Sequence, residues 1–106
     1  MEVERRLNMK IPEYLKSTQA MISQAFPDGM DEESYWALIY LLYDHICDEN
    51  LVLVLSTFVE KPWGVIANDI YKVNRFKIDE KILQKVKAGL DAHGFEEWKK
   101  GEQPCE

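Results

Sequence analysis

The chain has little cysteine and no run of apolar residues long enough to cross a bilayer. Only two cysteines occur in 106 residues, Cys47 and Cys105. Two do not make a disulfide framework, and Cys105 lies one residue from the end, where chains fray. The spacing therefore predicts two reduced thiols and a cytoplasmic protein. The first ten residues hold no apolar stretch of the secretory kind, so no signal is expected there, and Met9 offers a second start. The longest uninterrupted apolar run is Tyr35 to Tyr43. A span needs about 20 such residues, and Asp44, His45, Asp48, Glu49 and Asn50 interrupt it. No membrane association is expected.

What is present suits one globular domain. The apolar share is 46% and the charged share 30%, a balance that folds rather than staying disordered. The net charge of −6 is uneven: residues 11–60 hold nine acids and one Lys, or −8, while 61–106 hold nine bases and eight acids, or +1. An acidic half disfavours general nucleic-acid binding, because phosphates are repelled. It suits a basic protein partner or, more simply, keeps an oily domain dissolved.

The punctuation reads as successive helices, near 12–25, 31–46, 48–60, 63–73 and 79–93. Pro12 suits the first helical position and Pro27 ends that helix, whose stripe is Tyr14, Leu15, Met21, Ile22 and Ala25. Phe26-Pro27-Asp28-Gly29 makes a turn. Asp31 and Asp48 serve as N-caps, with acids in the first turns where the dipole favours them. Residues 51–59 are so apolar and β-branched that periodicity does not decide; helix is expected because no other segment offers a strand partner. Trp63, Ile66, Ala67, Ile70 and Tyr71 recur at helical spacing. Asp79 caps the last helix, and Gly94 ends it in the left-handed conformation, with Phe95 folding back on Leu90. The expected architecture is all-α, a single compact domain of about five helices over residues 10–98, with a frayed lead-in at 1–9 and a frayed tail at 99–106.

The order of these features resembles a known family. Residues 26–30 (FPDGM) precede a polar cap and a long apolar helix, Asp48-Glu49 opens the next, and a late helix closes as Leu90-x-Ala92-x-Gly94-Phe95. This resembles the small bacterial proteins catalogued as domain of unknown function 3349, over about residues 25–98. The resemblance implies an all-helical fold and no assigned activity. It carries over no functional residue.

No catalytic or ligand signature emerges. Asp44, His45, Cys47, Asp48 and Glu49 form the densest group of potential ligands. His45 and Cys47, two apart, do not share a helix face, and no second Cys/His pair supports them. A helix end followed by a capped restart explains the group better than a metal. Cys47 with His93 lacks the positioned acid of a nucleophile site. Glu32-Glu33 and Asp48-Glu49 sit at helix starts, where capping accounts for them. Neither a metal, a cofactor nor an enzymatic activity is expected. Lys72, Arg75, Lys77, Lys81, Lys85 and Lys87 make a basic stretch, but Lys81 and Lys85 fit an ordinary solvated face.

The informative segment is 35–46. Tyr35, Leu38, Ile39, Leu42 and Ile46 suffice for a core side. Trp36, Tyr40 and Tyr43 form a second stripe beside it. Burial of a central helix on most of its surface would explain that stripe. So would an aromatic contact face, since Trp and Tyr anchor interfaces while their polar tips tolerate water. The sequence thus points to a non-enzymatic protein–protein interaction domain, an inhibitor or accessory subunit, acting on a protein partner or a second copy. The alternative is a nucleic-acid-associated regulator using residues 72–87.

Overall fold

Asp31 takes the extended conformation of an N-cap and its Oδ1 accepts the Ser34 N–H at 2.9 Å. This fixes the start of the central helix in a computed structural model that describes residues 13–75 and 77–100. The expected lead-in, the helix start at Pro12 and residues 101–106 of the expected tail lie outside that range. A 3-10 turn, Glu13–Leu15, leads into α1, Lys16–Ala25. Then follow α2, Glu32–Leu42; α3, Asp48–Leu55; α4, Trp63–Lys72, with a 3-10 turn Val73–Arg75; α5, Glu80–Asp91; and α6, Phe95–Lys100. The protein is an all-α single domain, and no strand occurs among the described residues. No helix among them is long and apolar enough to cross a membrane.

The helix ends differ from expectation for local reasons. α2 stops at Leu42 rather than near 46. The chain turns through 43–45, with the His45 N–H on the Leu42 carbonyl at 2.8 Å, and Ile46 still reaches the core. The cap of α3 is Cys47, not Asp48, which falls in the first turn. α3 stops at Leu55 rather than near 60. There the Ser56 and Thr57 hydroxyls each donate at 2.7 Å to the carbonyls of Leu53 and Val54. Such back-bonding competes with continuation of the helix. Residues 51–55 are helical, as expected.

The tail expected from 99 instead begins as helix. Gly94 has φ +95°, the left-handed conformation foreseen for it, but the chain starts again at once in α6. Phe95 and Trp98 stack at 5.9 Å, and the Trp98 indole donates to the buried Thr18 hydroxyl at 2.7 Å. Six residues do not hold a helix alone. Docking on α1 holds this one.

The core is built from Leu15, Ile22, Leu38, Leu42, Leu55 and Leu90, all fully buried, with the inward residues of α3 and α4 around them. α2 lies at its centre, against α4 on one side and α5 on the other. In α4 the buried residues are Ile66, Asp69 and Ile70, and Val73 of the following 3-10 turn is buried with them. The other members of the expected stripe, Trp63, Ala67 and Tyr71, face outward. Tyr14 is exposed as well.

The cysteine expectation is corrected. Cys47 is disulfide-bonded, not a reduced thiol. The chain's other cysteine, Cys105, lies outside the described residues. A disulfide depends on tertiary approach, which spacing along the chain does not reveal. The bond also removes the cysteine-based argument for a reducing compartment.

Candidate interaction surface

The stripe Trp36, Tyr40 and Tyr43 is divided by the packing of α2. Trp36 is half-buried. Its indole N–H donates to Glu32 at 3.0 Å, and its ring meets Tyr35 edge-on at 5.6 Å. It also lines an open groove with Ile78 and Ile82, rimmed by Glu33, Lys77 and Asp79. Tyr43 is half-buried against the core, with its ring 6.2 Å from Tyr40. Tyr40 alone of the three is exposed, at 42%. The exposed acids Glu33 and Asp44 flank it on the outward side of this segment.

The sequence reading missed a second aromatic row, on α4. Trp63, Ala67, Tyr71 and Arg75 follow one another at i, i+4, i+8 and i+12 and are all exposed. Trp63 retains 49% and Tyr71 70% of its surface in solvent, and the Arg75 guanidinium stands 5.7 Å from the centre of the Tyr71 ring. The signal lay in the sequence. Ile66, Ile70 and Val73 alone make a sufficient buried stripe, as the core side of α2 does.

Behind these faces is a buried polar knot that periodicity also concealed. The Tyr35 hydroxyl donates to Asp69 at 2.7 Å, with both residues buried. Lys61 lies 3.5 Å from the same carboxylate and 3.1 Å from Glu32, with its ammonium 4.1 Å from the centre of the Tyr35 ring. Burial, and then the bond to Asp69, hold the Tyr35 phenol well above its ordinary pKa, so it stays protonated. Each group is satisfied within the knot, which pins α2 to α4 and to the segment before α4.

The other candidate groups take structural places. His45 lies edge-on to Phe95 and Trp98, at 6.4 and 6.0 Å between ring centres. Among the described residues no three His, Cys, Asp or Glu side chains group to hold a metal. Cys47, in a disulfide, has no thiolate to pair with His93. Asp31 has its pKa lowered, first by the Ser34 N–H it accepts. Lys85 adds a smaller share of the same sign. Lys87 meets Asp91 at 3.0 Å and Glu96 at 3.9 Å. The basic stretch 72–87 is therefore spread over a helix end, a 3-10 turn, a connector and α5, and Lys87 within it answers acids of the same molecule.

No family model matches the chain, and neither a curated protein nor a solved structure does.

Proposed function

We propose that this chain is a non-enzymatic protein–protein interaction domain that binds through the outward aromatics of α2 and α4. The observation that carries this reading is the exposed row Trp63, Tyr71 and Arg75. These are the three residue types most enriched among interface hot spots. Each ring covers a large contact area with few rotors to immobilise. The role fits an inhibitor or accessory subunit.

A nucleic-acid-associated regulator using residues 72–87 is the weaker reading, because Lys87 is engaged by acids of the same chain and residues 11–60 carry a net charge of −8. A pull-down at low salt, repeated after nuclease treatment, separates the two. The interaction reading expects capture that survives nuclease and is lost in the Trp63→Ala/Tyr71→Ala variant. Capture abolished by nuclease and indifferent to that variant would favour the regulator.

A further inference from the structure

The exposed apolar surface is concentrated on α4. Among the described residues, Trp63 at 49%, Val65 at 44% and Tyr71 at 70% exposure all lie on this helix, and the other large apolar side chains so exposed are Tyr14 and Tyr40. No charged side chain is exposed between Pro62 and Tyr71, because Asp69, the only charged residue in that span, is buried and bonded to Tyr35. The row Trp63, Ala67 and Tyr71 is also symmetric. Its two rings stand four residues to either side of Ala67, about 6 Å each way along the helix axis.

We infer that the occupant of the α4 face is a second copy of this chain, the two α4 helices lying antiparallel about a twofold axis at Ala67; this rests on the interaction reading above. A twofold contact needs a surface in which i meets j and j meets i. Antiparallel pairing about residue 67 supplies it. Trp63 of each copy comes opposite Tyr71 of the other, and Ala67 meets itself, where a methyl group keeps the axes close. Rows spaced by four residues are the ridges that interlock in the commonest helix packing. Asn68, exposed beside the axis, carries an amide that both donates and accepts, and so complements its own symmetry mate. Charge selects the same partner. The chain carries −6 overall, so two copies repel wherever charged faces meet. The α4 face gives them an uncharged contact, while a strongly acidic or basic partner finds no counter-charge there. Arg75, eight residues past Ala67, stands about 12 Å from the axis, so the two guanidinia lie more than a Debye length of about 8 Å apart. A helix of ten residues is about 15 Å long. The contact therefore falls at the low end of specific interfaces, below about 1,200 Å² in total, and the dimer is a weak, reversible one. The pairing uses α4 and leaves Tyr40 of α2 to a further partner.

Substitution at the axis tests this by sedimentation velocity over a concentration series. Ala67 is exposed, and only in this pairing does residue 67 of one copy meet residue 67 of the other. The wild type is expected to dimerise with a Kd between about 1 μM and 1 mM. Ala67→Glu and Ala67→Arg each set like charges against one another, so either variant alone should have its dimer Kd raised by about tenfold or more. An equimolar mixture of the two should associate again, because a carboxylate then faces a guanidinium. Circular dichroism and urea midpoints establish that each is folded. Where either fails that check, Trp63→Ala and Tyr71→Ala take their place; each should weaken the dimer by about fivefold or more, and the double variant should cost less than their sum, because the two rings share one contact. A wild type that stays monomeric, a dimer indifferent to these variants, an Ala67 mixture no more associated than its components, or additive ring losses would each overturn the inference. If the wild type is monomeric while nuclease-resistant capture still depends on Trp63 and Tyr71, the partner is another protein and the interaction reading stands. If capture is lost as well, both fall.

Discussion

The hydroxyl of Tyr35 donates to Asp69 across 2.7 Å of buried interior, joining α2 to α4. Tyr35→Phe removes the donor and leaves a carboxylate beneath the surface with Lys61 at 3.5 Å. Loss of one partner from a buried pair costs about 1–3 kcal/mol. Urea unfolding is expected to show that loss. A double-mutant cycle with Asp69→Ala should give non-additive costs, because the two side chains share one interaction.

The same pair gives a pH dependence. The folded state raises the pKa of Tyr35 above its ordinary value of 10.0, so the folded protein holds this proton more tightly than the unfolded chain. Between the two values the native state binds more protons, and stability falls as pH rises. The contribution is fully present below pH 10.0 and is lost progressively above it. Stability measured from neutral into alkaline solution should decline more steeply for the wild type than for Tyr35→Phe. Parallel declines would remove Tyr35 as the cause.

Gly94 stands at φ +95°, with no atom within 4 Å of where a side chain would begin. Space is not the constraint there. The backbone is, and a β-branched residue in this conformation costs about 1–3 kcal/mol. Gly94→Val should unfold earlier than Lys85→Ala, an exposed substitution on α5, and should release α6 with it. Equal melting temperatures would show that the α5–α6 turn does not need the left-handed form.

Because Cys47 is held in a disulfide, thiol titration of the native protein should find its sulfur unreactive. Reductant should lower the melting temperature, since a crosslink restricts the unfolded chain. A freely titrating Cys47 and an unchanged melting curve would restore the reduced state first expected.

What the sequence disclosed and what it hid divide along one physical line. Local chemistry was legible. Asp31 and Asp79 cap, Gly94 turns left-handed, and Leu38, Leu42 and Leu90 face inward. Structure that depends on distant partners was not. α6 exists because Trp98 reaches Thr18, eighty residues away. The bond at Cys47 likewise has no local signature. Asp69 occupies a core position because Tyr35 and Lys61 meet it there. The site was half legible. Tyr40 lies outside as the stripe suggested, Trp36 and Tyr43 are drawn partly inward, and the row of Trp63 and Tyr71 was mistaken for core. An apolar helix with more oily positions than its buried face needs does not say, by periodicity alone, which of them the neighbours will cover.

The central claim is that one side of α2 folds the domain while the outward aromatics bind. Leu42 is fully buried and Tyr40 is not. The most direct test measures urea unfolding and association for Tyr40→Ala and Leu42→Ala side by side. The account predicts that Leu42→Ala loses about 2–5 kcal/mol through its cavity, whereas Tyr40→Ala keeps nearly the wild-type midpoint and loses association. A Tyr40→Ala protein as unstable as Leu42→Ala, with association intact in its folded fraction, would contradict the claim and return Tyr40 to the core.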